Sequence, residues 1–368
     1  MKDNSSHLFE AVQIGNLSLR NRIVMAPMTR NFSPNGIPGD DVADYYKRRA
    51  KAGVGLIITE GTTVNHIASN GYPRVPSFYG KEALEGWKNV VNKVHQAGGL
   101  IAPQLWHVGY IRKRGMEPDP QVPGYGPMEI KKGNEIETVG MTKDDINQVI
   151  GAFASAAGTA REIGFDALEI HGAHEYLIDQ FFWERSNERT DEYGGSLENR
   201  LNFAIQIIEA VRNAVGPDFP VIFRFSQWKQ QDYNAKLANS PEELEQFLMP
   251  LSNAGVDIFH ASTRRFWEAE FDGSELNLAG WARKITGKPA ITVGSVGLDS
   301  TFTSSFGGET AHPADLNSLD ERLENKEFDL VAVGRALLAD AEWALKIKEG
   351  RENDIKPVDL KRALTSLS

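Results

Sequence analysis

The stretch SLENRLNFAIQIIEAVRNAVGPDFPVIFRFS, residues 196–226, holds one complete unit of the pattern that sets the fold. Its first part, 197–215, carries apolar residues three and four apart, the spacing of a helix with one buried face. Ser196 offers an N-cap oxygen just before it. The second part, PVIFRFS from Pro220, is a short apolar run of the kind found in strands buried on both faces. The same short run followed by a longer amphipathic segment recurs along the whole chain. The other runs begin at Arg22 (RIVMAP), Val54 (VGLIITEG), Gly99 (GLIAPQLWH), Phe165 (FDALEIHG), Val256 (VDIFHAS), Lys288 (KPAITVGS) and Phe328 (FDLVAVGR). Further helical patterns span 43–51, 83–96 and 241–253, the last preceded by Ser240 as a second cap. Eight such units predict a closed (β/α)8 barrel of the α/β class better than an open sheet.

Three segments fall outside the repeat. Residues 11–19 alternate around the turn pair Gly15-Asn16 and predict an N-terminal hairpin closing the barrel bottom. Residues 114–142, rich in glycine and proline, fit no helix and read as a lid excursion after strand 3. The Ser/Thr/Gly stretch 300–308 reads as a mobile loop. No linker or low-complexity tract appears, so one domain over 1–368 is expected.

Composition narrows the function. The 368 residues are 41% hydrophobic and 24% charged, ordinary for a chain with a large core. A net charge of −10 with no basic run argues against nucleic acid or an anionic membrane as partner. The absence of cysteine excludes disulfides, iron–sulfur clusters and cysteine–zinc sites. The polar start and the lack of an apolar run near the ~20 residues needed to span a bilayer make a cytoplasmic location the expectation.

Polar residues gather where the runs end, and a barrel brings those ends to one cavity. In chain order they are Thr29, Glu60 and Gly61, Gln104, Trp106 and His107, then His171, His174 and Tyr176. Arg224 and Ser226, His260 and Ser262, Gly294 and Ser295, and Gly334 and Arg335 follow. Taken singly, several have plain structural readings. VGR can simply end a strand, Arg224 can sit in a buried ion pair, Thr29 can satisfy a strand-end carbonyl, and a lone histidine is more often structural than catalytic. His107 and His260 stay with that structural reading.

Taken together, these residues resemble the old yellow enzyme family of FMN-dependent ene-reductases. The resemblance covers essentially the whole chain. It is carried by Ala26-Pro27-Met28-Thr29, Ile58-Thr59-Glu60-Gly61, Gln104-Leu105-Trp106-His107, His171-Gly172-Ala173-His174, Tyr176 to Phe181, Asp191-Glu192-Tyr193-Gly194-Gly195-Ser196, Val293-Gly294-Ser295 and Val333-Gly334-Arg335. It implies bound FMN, NADPH or NADH as reductant and a small electrophilic substrate. Gly294, Ser295, Gly334 and Arg335 would then hold the phosphate, through backbone N–H groups and a guanidinium. Gln104 would meet the flavin pyrimidine edge, Arg224 the N1/O2 side, and Thr29 the O4/N5 side. Pro27, Met28, Gly61 and His171 complete the implied cofactor contacts. Trp106, His171, His174 and Tyr176 would bind substrate, the two histidines polarising its carbonyl or nitro oxygen. Tyr176 would protonate the α-carbon opposite the incoming hydride.

The chain departs from the family pattern in places expected to line the substrate mouth. Glu175 stands where glycine is usual, and Tyr110 where a basic residue is common. The exits Gln227-Trp228 and Arg264-Arg265-Phe266-Trp267 also differ. With Trp106 they suggest an aromatic-walled cavity for a bulky, partly apolar molecule. If 174–176 is extended, His174 and Tyr176 share the cavity face and Glu175 points away, toward solvent or a neighbouring loop. Two rival readings remain: a metal-dependent lyase or hydrolase built on Glu60, His107, His171 and His174, and a flavin-binding protein without reductase activity.

Overall fold

The computed structural model describes residues 6–301, 304–305 and 307–367. Eight parallel strands close into a barrel in chain order: β1 (Ile23–Met25), β2 (Leu56–Thr63), β3 (Leu100–Trp106), β4 (Leu168–His171), β5 (Val221–Phe225), β6 (Ile258–Ser262), β7 (Ala290–Val293) and β8 (Leu330–Val333). Seven fall inside their apolar runs, and β2 runs two residues past the end of its own, VGLIITEG, to Thr63. The helices α1 (Asp40–Lys51), α2 (Lys81–Gln96), α3 (Lys143–Ile163), α4 (Leu197–Val215), α5 (Pro241–Ala254) and α6 (Leu278–Thr286) surround it. Ser196 and Ser240 do cap α4 and α5, their side chains accepting from Asn199 N and Glu243 N. The 21-residue α3 starts at a capping box between Thr142 and Asp145.

Two apolar layers hold the barrel. Outside the strands, Trp87, Phe153, Phe203 and Phe247 fill the space beneath the helices. Inside, Val24, Leu56, Ile58, Ala102, Ile222, Ile258, Ile291 and Leu330 pack together. That inner layer is closed below by Ile14, Leu17 and Leu19, which come from an antiparallel hairpin pairing Val12–Ile14 with Leu17–Leu19. The hairpin's place follows from this burial, since its apolar face has no other partner.

The excursion after β3 folds as a small sheet of Gly124–Gly126, Ile130–Lys132 and Glu135–Gly140. It packs on Gly109–Ile111 and on the short helix Leu177–Phe182, beside the mouth of the barrel. Arg112, wholly buried, organises its base by donating to the carbonyls of Asn70, Met116, Glu117, Asp119 and Val122. Of the 300–308 stretch, residues 302, 303 and 306 lie outside the described residues. Among the described residues no helix is long and apolar enough to cross a membrane.

Candidate active site

Strand register sets one polar level across the barrel top. Gln104 pairs with Glu169, and His171, Arg224 and His260 stand side by side on β4, β5 and β6. Above that level opens a cavity of about 540 Å³, within the ~300–1,000 Å³ usual for small-molecule sites. Pro27, Met28 and Thr29 line it after β1, and Gln104 and Trp106 on β3. His171, His174 and Tyr176 follow from β4, Arg224 from β5, Gly294 and Ser295 from β7, and Gly334 and Arg335 from β8. These are the expected residues with one exception.

Gly61 is that exception and a correction: it does not line the cavity. A Cβ there would overlap the Trp106 ring, so the glycine lets the indole lie across β2. Gly294 keeps its expected place, at φ 143°, where a Cβ would stand 2.8 Å from the backbone of Arg264 and Arg265.

Burial and hydrogen bonding fix the chemistry of the histidines. Both have pKa values pushed well below the usual histidine value, by burial first and by Arg224 second, so both are neutral near pH 7. His171 Nδ1 accepts from Ala173 N at 3.3 Å, which leaves its hydrogen on Nε2. Arg224 Nη2 donates to Ser262 Oγ at 3.3 Å, and Ser262 Oγ lies 2.8 Å from His174 Nε2. Arginine can only donate, so Ser262 can pass its own hydrogen to His174 Nε2, the tautomer in which the imidazole N–H stands at Nδ1. Two neutral N–H donors on one cavity wall are suited to an anionic or polarised oxygen.

Tyr176 stands edge-on to Trp106 and His171, with ring centroids 4.8 and 4.9 Å away. Burial, reinforced by Tyr72, raises its pKa well above the usual tyrosine value, so it holds its proton. Its hydroxyl lies 3.0 Å from that of Tyr72, which is itself stacked on Trp106. Tyr72 sits in a loop between β2 and α2, with no sequence signal to mark it. Gln230, Tyr233, Leu360 and Leu364 also line the cavity unforeseen, and Glu169 bridges Gln104 Nε2 and His260 Nδ1 at 2.7 and 2.6 Å beneath it.

The Glu175 side chain does turn from the cavity, but for a different reason from the extended geometry expected. His174 and Glu175 have φ of 62° and 63°, a left-handed turn that accounts for the advantage of glycine here. The carboxylate is 1% exposed, accepting from Tyr110 Oη and from Gln231 N at 2.9 Å. Of the other divergent positions only Trp228 and Arg264 reach the cavity. Tyr110 serves Glu175, Gln227 bonds the 237–238 backbone, Arg265 pairs with Glu268, and Phe266 is core.

The four side chains of the metal reading are not assembled. His107 Nε2 lies 2.9 Å from His66 Nδ1, and Glu60 accepts from Arg30 N and Asn31 N. Only His171 and His174 share the cavity. Arg224, by contrast, is a buried cation with no carboxylate in ion-pair reach among the described residues, and its Nε has no partner. Among the described residues the lining contains no aspartate or glutamate. Buried positive charge without a protein counter-ion suits an anionic ligand.

Fold and site thus define a barrel enzyme whose C-terminal cavity is built for an anionic cofactor. The chain matches the profile of the NADH:flavin oxidoreductase / NADH oxidase family over residues 7–354. It is 34% identical over 361 residues to an NADH oxidase of Thermoanaerobacter brockii, covering 95% of this chain and 52% of that one. The chain therefore spans about half the length of that relative. Identity to 12-oxophytodienoate reductase 2 of Arabidopsis thaliana is 39% over 264 residues, 69% of each chain. The solved structure of morphinone reductase in complex with tetrahydroNAD superposes with a TM-score of 0.76 at 28% identity, covering 94% of this chain and 91% of that one.

The chain belongs to this family, the old yellow enzymes, whose cofactor is FMN. The residues present fit that group. Arg224, with its partnerless Nε, and Gln104, whose amide oxygen accepts nothing among the described residues, suit the flavin ring. The Gly294–Ser295 and Gly334–Arg335 turns suit its phosphate. Arg335 donates to Ser295 Oγ, Ser300 O, Thr301 O and Ser305 Oγ, so it also ties Ser300, Thr301 and Ser305 to that cradle.

Proposed function

We propose that this chain is a single cytoplasmic catalytic domain that reduces activated C=C bonds of small electrophiles such as enones. FMN, once reduced by NADH or NADPH, supplies the hydride to the β-carbon when bound. His171 Nε2–H and His174 Nδ1–H then hold the carbonyl or nitro oxygen and stabilise the charge that develops on it. Tyr176 delivers its proton to the α-carbon, and Trp106 with Tyr72 fixes the angle of delivery. Thr29 makes no hydrogen bond among the described residues, which leaves its hydroxyl for the flavin edge. The single observation carrying this reading is the convergence of a protonated phenol and two neutral imidazole donors in one cavity free of carboxylates. Names of relatives such as 12-oxophytodienoate reductase and morphinone reductase support a cyclic enone as the reacting group. The test is anaerobic: reduce the yellow holoenzyme with NADH or NADPH, add 2-cyclohexenone, and follow flavin reoxidation and the saturated product. Reoxidation with cyclohexanone formed is expected; a flavin that stays reduced in the presence of cyclic enones, maleimides and nitroalkenes overturns the reading.

A further inference from the structure

Three arginines line the cavity, Arg224, Arg264 and Arg335, in a chain whose net charge is −10. Arg224 and Arg335 are accounted for by the cofactor and its loop. Arg264 is not. Its backbone lies in the loop after β6, where its carbonyl accepts from Ser295 Oγ of the β7 exit at 3.0 Å. Its side chain runs toward the loop after β5, with the guanidinium 5.1 Å from the Tyr233 ring centroid and one long hydrogen bond of 3.3 Å to the Tyr233 carbonyl. No carboxylate pairs with it among the described residues, whereas its neighbour Arg265 is committed to Glu268.

Tyr233 connects this cation to the chemistry. Its ring lies 5.4 Å from Trp228, and Trp228 is stacked 4.4 Å from His174. A continuous aromatic wall therefore runs from the oxygen-binding histidine to a guanidinium at the rim, where Tyr233 is 37% exposed. The ring orients the guanidinium, and among the described residues only one of its five donors is engaged. A planar fork with open donors matches a carboxylate in two parallel bonds. A diphosphate would call for several cations, and the other two arginines of the lining are committed elsewhere, Arg335 to Ser295, Ser300, Thr301 and Ser305 and Arg224 to Ser262.

We propose that Arg264 is an anion subsite, and that the preferred electrophiles are amphipathic acids. The activated carbonyl sits at His171 and His174, the apolar body lies along Trp228 and Tyr233, and a carboxylate reaches Arg264. This rests on the ene-reductase reading, which is why binding and turnover are measured separately.

The experiment uses FMN-loaded wild type, Arg264→Gln and Arg264→Lys with a matched pair of probes: a cyclohexenone bearing a carboxyalkyl chain, and its methyl ester. Binding to the oxidised holoenzyme is read from the change in flavin absorbance, and turnover from reoxidation of the reduced enzyme. Wild type should bind the acid more tightly than the ester by about tenfold or more, the scale of a charge-assisted hydrogen bond. Arg264→Gln should abolish that preference, Arg264→Lys should restore part of it, and added salt should weaken it. Equal affinity for acid and ester in wild type overturns the proposal. So does an unchanged preference in Arg264→Gln. A loss confined to FMN retention would place Arg264 in the cofactor cradle, and one confined to reduction by NAD(P)H would assign it to the nucleotide; either result overturns the subsite. Arg264-dependent binding of the acid without reduction of either probe would uphold the subsite and count against the ene-reductase reading instead.

Discussion

Tyr176 works as a proton donor, and His171 and His174 as neutral hydrogen-bond donors, only if each keeps its protonation state at the pH of the reaction. Burial acts on them in opposite directions, pushing the phenol pKa up and the imidazole values down. Above the lowered histidine values and below the raised tyrosine value, none of the three changes charge. Their titration should therefore add no limb to the pH profile of enone reduction between about pH 6 and 9. Tyr176→Phe removes the proton while keeping the ring between Trp106 and His171. It is expected to slow reduction of unactivated enones by ~10²–10⁴, while reduction of the flavin by NAD(P)H, which needs no proton on substrate carbon, is largely retained. Stopped-flow measurement of each half-reaction separates the two. Equal loss in both would make Tyr176 structural.

At the scale of elements, the turn after β4 and the loop after β5 form one unit. Glu175 receives Gln231 N, and Asp179 receives Glu175 N while forming a wholly buried pair with Lys229. The loop carrying Trp228, Gln230 and Tyr233 is thereby fastened to the turn carrying His174 and Tyr176. Replacing Glu175 by alanine leaves the Tyr110 hydroxyl and Gln231 N–H without their acceptor, and keeps a side chain at positive φ. A loss of about 1–3 kcal/mol in stability is expected, the scale of buried groups left unpaired. The functional effect should appear in KM more than in kcat, because the loop forms the cavity wall and not the proton donors. Urea unfolding together with steady-state kinetics on a neutral enone checks both; unchanged stability, or a fall in kcat alone, contradicts this account. Glu175→Gly relieves the backbone while losing the same bonds, so it should lose less stability than Glu175→Ala.

For the molecule as a whole, the barrel was legible in the sequence because eight buried strands leave eight apolar runs, and because a barrel gathers its strand ends whatever their distance along the chain. The same logic located His171, His174, Arg224 and Arg335 in one cavity. It failed where contact depends on loops that carry no periodic signal, as with Tyr72 and Tyr233. It also failed where backbone conformation replaced a simple strand, as at the positive φ of His174 and Glu175. Gly61 shows a third limit, since a glycine required by Trp106 looks in sequence like one required by a ligand. The placement of Arg224 carries a consequence for the stability of the entire protein. A guanidinium buried without a carboxylate opposes folding of the FMN-free chain, and the flavin edge, which would accept from the partnerless Nε and gains negative charge on reduction, would offset part of that penalty. Arg224→Met, similar in length and apolar, should leave the FMN-free protein at least as stable as wild type, with a gain of up to about 1–4 kcal/mol. The stabilisation added by FMN should shrink in the same variant. In wild type it should reach about 2.7 kcal/mol at a free FMN concentration of 100 Kd. Thermal unfolding of both proteins across an FMN titration measures the two effects together. If FMN-free Arg224→Met proves much less stable than wild type, the guanidinium is held by protein partners such as Ser262 and Glu169, and its charge is not reserved for the cofactor.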